Sequence, residues 1–310
     1  MKVGVVGAGM VGSASAYAMA LMGVGSQIVL VDQNDKLSLA HAQDISHATP
    51  FAAPVQVTSG GYEDLKGARV VVIAAGVNQQ PGESRVALLD RNADVFRQVI
   101  GQIEEYAPDA LLVVATNPVD VMTYVAWKLS DNTKQQVIGT GTVLDTARFR
   151  TLLGGYLGIT PQSVHAYVLG EHGDSEVPIW SSAMAGSVPV TQLAEQMKKP
   201  LGAKQIEDIS TQVRDAAYSI IDGKGSTYYG IGAGVARIVR AILDDERSVL
   251  SVSIMSDDIL GVKDVPVSLP RVIGADGVIT DLMPDLSETE TEALIKSATL
   301  IRDLADRLSL

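Results

Sequence analysis

Two short β-branched runs, Val3–Val6 and Ile28–Val31, flank a stretch from Met10 to Met22 that is rich in Ala, Met and Ser and free of proline. Strand, helix and strand in so short a span predict a βαβ unit. The apolar runs Val70–Ala75 and Leu111–Ala115 are bounded by turn residues and lack polar alternation. Such runs suit parallel strands buried on both faces. Helical stretches fall between the strands, at Asp35–His47, Ser84–Tyr106 and Val119–Leu129. Residues 1–140 are therefore predicted to form a parallel, doubly wound α/β domain.

The rhythm changes after Val137–Gly139. A helix over Val143–Leu157 leads into a strand, Ser163–Leu169, and long helical stretches follow at Leu201–Ile221 and Gly232–Leu243. Ser248–Ile254 alternates polar and apolar residues, which predicts a half-exposed antiparallel strand with Val265–Ile273 pairing nearby. Ser287 with Glu290 three residues on has the pattern of a capping box and opens a last helix that runs to about Leu308. Residues 141–310 thus read as an α+β substrate domain. No long linker separates the halves, so they are expected to pack together.

Composition narrows the chemistry. The 310 residues carry 24 Lys+Arg against 36 Asp+Glu, a net charge of −12. That balance opposes nucleic acid and anionic membrane as partners, because each phosphate needs a cation opposite it. A small anion would be held only by a few Arg or His residues focused locally against the global field. The absence of cysteine excludes disulfides, thiolate metal sites and thiolate nucleophiles, and no metal site is predicted. No apolar run reaches the ~20 residues of a membrane span. Met1–Gly7 lacks a leader-like cleavage pattern and runs into a glycine motif, so a buried strand in a cytoplasmic protein is expected.

Gly7-Ala8-Gly9-Met10-Val11-Gly12 matches G-x-G-x-x-G, follows a strand and opens a helix, and Asp32 stands twenty residues beyond Gly12 at the end of the second strand. Together these features are the dinucleotide fingerprint of a Rossmann domain. The first glycine permits a tight turn, the second lets the backbone approach a pyrophosphate, and the third lets helix and strand pack closely. The helix N-terminus offers partial positive charge to the phosphates. Asp32 accepts from ribose hydroxyls and repels a 2′-phosphate, which favours NAD over NADP. Tyr62–Lys66 and Tyr124–Lys128 show the Y-x-x-x-K spacing of short-chain dehydrogenases, but the glycine spacing of those enzymes is absent, so both pairs are read as incidental. Tyr62 is placed near the adenine pocket.

A redox enzyme using NAD must also move a proton on or off the substrate oxygen, and without metal or thiol the carrier is expected to be histidine. The chain has four, His41, His47, His165 and His172. The first two sit on a polar helix and read as solvated. His172 lies in the glycine-flanked turn Gly170-Glu171-His172-Gly173-Asp174, just after an apolar strand. Asp145 and Arg148 share a helix face at i,i+3 spacing. Asp145 is a candidate to bond one imidazole nitrogen, fixing the tautomer and favouring the protonated ring, and Arg148 offers a planar fork for a carboxylate. The competing reading is a surface ion pair between Asp145 and Arg148. The segment Gly76-Val77-Asn78-Gln79-Gln80-Pro81-Gly82-Glu83-Ser84-Arg85 suits a lid that brings Arg85 in to polarise a carbonyl; the plainer alternative is an exposed loop.

The glycine hexapeptide, Gln-Gln-Pro-Gly-Glu-Ser-Arg, Thr116-Asn117-Pro118-Val119-Asp120, Leu144-Asp145-Thr146-Ala147-Arg148 and Gly170–Ser175 occur in an order that resembles the L-lactate/malate dehydrogenase family over essentially the whole chain. The resemblance implies that His172 is the proton donor and acceptor with Asp145 its partner, that Arg148 grips the substrate carboxylate, and that Arg85 polarises the carbonyl. It also implies that Asn117 contacts substrate and cofactor, with Gly76 in the cofactor site. Gln79 stands where malate dehydrogenases carry Arg. A second substrate carboxylate would lack a countercharge there, and Thr227 matches the residue that closes around a methyl group. Pyruvate and L-lactate are thus the expected pair, with malate or longer 2-hydroxy acids, or a non-enzymatic NAD sensor, as alternatives. Arg150 and His165 match positions that bind fructose 1,6-bisphosphate in allosteric bacterial members. One Arg and one His make a weak phosphate site unless a two-fold axis doubles them, so the effector is expected across a dimer interface; plain interface contact is the alternative. The resemblance further implies a homotetramer.

Overall fold

The computed structural model describes residues 1–77 and 85–308. Its first half runs β1 (Lys2–Val6), α1 (Met10–Met22), β2 (Gln27–Val31), α2 (Asp35–Ala48), β3 (Gln56–Ser59), β4 (Ala68–Ile73), α3 (Arg85–Tyr106), β5 (Leu111–Val114), α4 (Val119–Leu129) and β6 (Val137–Gly139). These strands form a sheet in the order β6-β5-β4-β1-β2-β3, with every pair parallel. The order reverses between β1 and β4. At such a switch point the loops after adjacent strands part and leave a crevice at the carboxyl ends. Strands β1, β2, β4 and β5 are buried on both faces, which explains why their sequences lack alternation.

The second half runs α5 (Val143–Leu157), β7 (Val164–Leu169), β8 (Val177–Ala185), β9 (Val188–Pro189), α6 (Val190–Gln196), α7 (Ala203–Lys224), α8 (Tyr229–Leu243), β10 (Ser248–Ile259), β11 (Val262–Gly274), β12 (Gly277–Asp281) and α9 (Glu288–Asp306). β7, β8 and β9 form a small antiparallel sheet. β10, β11 and β12 instead extend the main sheet past β6 to nine strands. The halves therefore share one sheet, and helix α8 packs against α1 across them. Ser287 caps α9 by accepting from the Glu290 N–H, and the Glu290 carboxylate returns to the Ser287 N–H.

One strand departs from its sequence pattern. The alternating serines of β10 predict a solvated face, yet Ser251 and Ser253 are 1% and 0% exposed. The Ser251 hydroxyl donates to the Val168 carbonyl at 2.7 Å and meets the Thr142 hydroxyl at 2.7 Å. Ser253 stands opposite Gly139, whose missing side chain admits it. A buried hydroxyl with partners, as at Ser251, looks polar in sequence but packs as core, whereas the Ser253 Oγ is buried without a hydrogen-bond partner among the described residues. The strands β3, β8, β9 and β12 and helix α6 have no clear periodic signal and are found only in the structure.

Candidate active site

The turn from β1 to α1 meets each of the three glycine requirements. Gly7 has φ +96°, and a Cβ on it would stand 2.5 Å from the Ala75 nitrogen. A Cβ on Gly12 would fall 1.8 Å from the Gly7 carbonyl oxygen, so helix and strand touch there. A Cβ on Gly9 would meet nothing within 4 Å among the described residues. That open space is where a ligand can approach the backbone. Helix α1 has no acidic residue in its first turn and no side-chain cap, which leaves its N-terminal N–H groups for an anion.

Asp32 ends β2 beside this turn. Its two oxygens accept from the Ala8 N–H at 2.7 Å and the Asn34 N–H at 2.9 Å. Those bonds aim the carboxylate across the glycine turn, with lone pairs left for vicinal hydroxyls. Tyr62 lies half-buried within reach of that charge. Burial, then the Asp32 charge, push its phenol pKa up. Gly76 follows β4, and a Cβ there would press on Thr116 Cγ2 at 2.7 Å. Thr116 in turn donates to the Ala75 carbonyl at 2.7 Å, which ties the ends of β4 and β5 together. Asn117 is exposed at that end, before a cis peptide bond to Pro118. The site residues present fit a dinucleotide with free ribose hydroxyls.

Asp145 sits in the first turn of α5 and is 1% exposed. His172 is carried by the turn after β7. Its Nδ1 lies 2.6 Å from Asp145 Oδ2, while Arg148 Nη1 donates to Asp145 Oδ1 at 2.8 Å. The carboxylate thus bridges an imidazole and a guanidinium, and the pairing is a buried cluster rather than a surface ion pair. Bonding at Nδ1 leaves Nε2 as the nitrogen that exchanges a proton with a ligand. Burial, the largest single influence, pushes the imidazole pKa down. The Asp145 charge and hydrogen bond, joined by the Asp120 charge, outweigh it and hold the ring at about 9. The ring is therefore charged at neutral pH.

Arg148 and Thr227 line one cavity of about 490 Å³ with Leu144, Lys224, Tyr228 and Gly230. Two residues 79 positions apart, both singled out from sequence, thus line one cavity. Gln79 lies outside the described residues, and so does the Arg85 side chain. Arg150 points away from Arg148: its Nε donates to the Ala166 carbonyl at 2.9 Å and its guanidinium stacks on Tyr167 at 4.7 Å. His165 is exposed two residues before Tyr167 on β7. Of the remaining histidines, His47 is exposed and His41 half-buried on α2. Tyr124 and Lys128 form a surface cation–π contact on α4, 5.8 Å from ammonium to ring, with no part in the crevice.

Three side chains next to His172 carry no sequence signal strong enough to assign them. Asp120 is 2% exposed, and its Oδ2 accepts the His172 main-chain N–H at 2.8 Å. Its position, one acid in the first turn of an otherwise apolar α4, reads equally as a helix-dipole partner. Ser297 of α9 accepts the Glu171 N–H at 2.9 Å. Glu176 has a buried Oε1 without a hydrogen-bond partner among the described residues. Burial, then the Asp145 charge, push its carboxyl pKa up.

A dinucleotide crevice and a carboxylate-bound histidine, the latter tied by its main chain to Asp120 in the first turn of α4, define an NAD-dependent oxidoreductase. Two family models cover nearly all of the chain: the NAD binding domain of lactate/malate dehydrogenase over residues 1–139, and its alpha/beta C-terminal domain over residues 142–307. The chain belongs to the lactate/malate dehydrogenase family, and its cofactor is NAD. It is 59% identical to the L-lactate dehydrogenase of Allorhizobium ampelinum over 98% of both chains, and 56% identical to that of Thermus aquaticus over 99% of both. Among solved structures it matches a lactate dehydrogenase from a Medee basin deep-sea metagenome with a TM-score of 0.97 and 41% identity, covering 100% of this chain and 99% of that one.

Proposed function

We propose that this chain is an L-lactate dehydrogenase, interconverting pyruvate with NADH and L-lactate with NAD. The observation that carries the reading is the buried Asp145 carboxylate held between the His172 imidazole and the Arg148 guanidinium. The nicotinamide supplies or takes up the hydride when bound. During pyruvate reduction His172 Nε2 gives its proton to the carbonyl oxygen, and Asp145 steadies the ring in both protonation states. Arg148 turns its remaining donors toward the substrate carboxylate, for which a planar fork is suited. Thr227 closes the same cavity around the methyl end. Arg85 polarises the carbonyl, Asn117 contacts substrate and cofactor, and the neutral Gln79 leaves a second carboxylate without a partner. Gly7, Gly9, Val11, Gly12, Asp32, Tyr62 and Gly76 form the NAD site.

NADH oxidation measured with pyruvate, oxaloacetate and 2-oxoisocaproate tests the assignment. We expect kcat/KM for pyruvate to exceed that for oxaloacetate by about tenfold or more, the scale set by leaving a charge unpaired in a closed site. A preference for oxaloacetate sinks the lactate reading in favour of malate.

The same proposal includes a homotetramer in the cytoplasm with fructose 1,6-bisphosphate as activator, bound where Arg150 and His165 of two subunits meet. Supporting it, Arg150 and the exposed His165 flank Tyr167 away from the substrate cavity. Titrating the bisphosphate at low pyruvate should lower the half-saturation concentration. No change at either acidic or neutral pH would reduce these residues to interface contacts.

A further inference from the structure

The turn that carries His172 is clamped residue by residue from three different elements. Gly170 pairs with Ser268 of β11 in both directions, at 3.0 and 3.1 Å. The Glu171 N–H donates to Ser297 of α9 at 2.9 Å. The His172 N–H donates to Asp120 of α4 at 2.8 Å. The first two clamps are neutral. The third is an acid, 2% exposed, although a serine or asparagine oxygen would accept the same bond without the cost of burying a charge.

That charge lacks a dedicated cation. Asp120 Oδ1 receives the Ser268 hydroxyl at a long 3.4 Å, Ser253 of β10 also favours the carboxylate, and the charge of the buried Arg271 reaches it with no direct hydrogen bond among the described residues. The buried Arg271 of β11 directs its fork to Asp281 at 2.9 Å, the Ser256 hydroxyl at 2.8 Å and main-chain carbonyls including Val267 at 2.7 Å. The groups facing His172 are Asp145 and Arg148 from α5, Asp120 from α4, and Glu171 and Glu176 of its own turn. Ser253 of β10 faces Asp120, and Arg214 of α7 faces Glu176.

We propose that Asp120 is a positioning residue for proton transfer: a second carboxylate that holds the His172 main chain and, together with Asp145, keeps the imidazolium as the resting form. The inference rests on the reading of His172 as proton donor. Asp145 acts on the ring Nδ1 and Asp120 on the main-chain N–H, so two anions bear on one residue through different atoms. Burial pushes the Asp120 carboxyl up to about 6, which still leaves it ionised at neutral pH beside the imidazolium.

Asp120→Asn separates charge from shape. Its amide oxygen still accepts the His172 N–H, and the Ser268 and Ser253 hydroxyls can turn to accept from its NH₂. The His172 ring is titrated by NMR in the cofactor-free chain, with His172→Asn identifying its signal. In Asp120→Asn we expect its proton affinity to fall by about threefold to tenfold. The pH profile of kcat/KM for pyruvate should move down in step, with KM for NADH unchanged. Asp120→Ala, which removes the acceptor too, should add a loss in kcat. Should Asp120→Asn not fold, Asp120→Ser takes its place: its hydroxyl keeps an oxygen acceptor, carries no charge and should lower the His172 affinity by a similar factor. An unmoved His172 midpoint in the folded variant overturns the proposal. A wild-type chain that fails to reduce pyruvate overturns the functional reading instead and leaves the ring titration to decide Asp120.

Discussion

At the scale of single residues the decisive quantity is the proton on His172. Its pKa is raised from an ordinary 6.5 to about 9 because two carboxylates outweigh burial. Proton donation to pyruvate should therefore hold through neutral pH and fall as pH rises through about 9, while lactate oxidation gains over the same window; steady-state profiles in both directions check this. The raised pKa also links to stability. The folded form binds the proton more tightly than the unfolded chain, so this contribution is full below about 6.5 and is lost as pH rises through about 9. Asp145→Asn removes its main source. Urea unfolding of that variant should show a flatter pH dependence between those limits, with kcat reduced by roughly tenfold or more. Much of this cluster is legible in sequence, because His172 is one of only four histidines and Asp145 and Arg148 share a helix face in a motif at an element end. Asp120 is not legible in the same way. Nothing along the chain says that the first turn of α4 lies beneath a turn fifty residues later.

Among the elements, the β1–α1 unit shows how a periodic pattern becomes a binding site. Gly9 and Gly12 are the same residue type with opposite surroundings: open space at one, a carbonyl at 1.8 Å at the other. Gly12→Ala should force α1 off β1 and cost roughly 1–3 kcal/mol, as overpacking does, lowering the melting temperature and NADH affinity together. Gly9→Ala meets no protein atom and should leave the melting temperature unchanged while weakening NADH binding, measurable by fluorescence titration. The βαβ unit, the buried parallel strands and the capped α9 follow from local pattern. β10 does not. Its alternation promises a solvated face, but the partners that bury Ser251 and Ser253 come from Val168, Thr142 and Gly139. Periodicity reports the polarity of a side chain, not whether a distant element will satisfy it.

For the whole molecule, a net charge of −12 surrounds a site that must admit an anion. Raising NaCl from about 10 to about 150 mM shortens the screening length from about 30 to about 8 Å. That change damps the global repulsion more than the contact with Arg148, so KM for pyruvate should fall; a rise would show that local cations already dominate the approach. The sequence alone determined the cofactor half, because a dinucleotide is read by a contiguous glycine turn and an acid one strand later, all within a single βαβ unit. It also singled out His172, Asp145 and Arg148, which the structure brings into contact, because their motifs are local. Only the tertiary structure decided that β10–β12 complete the first sheet, that Arg148 and Thr227 line one cavity, and that Asp120 lies under His172. These are contacts between residues dozens to more than a hundred positions apart. They arise from how buried hydroxyls, a second buried acid and the strand order settle against one another, and no local periodicity encodes that.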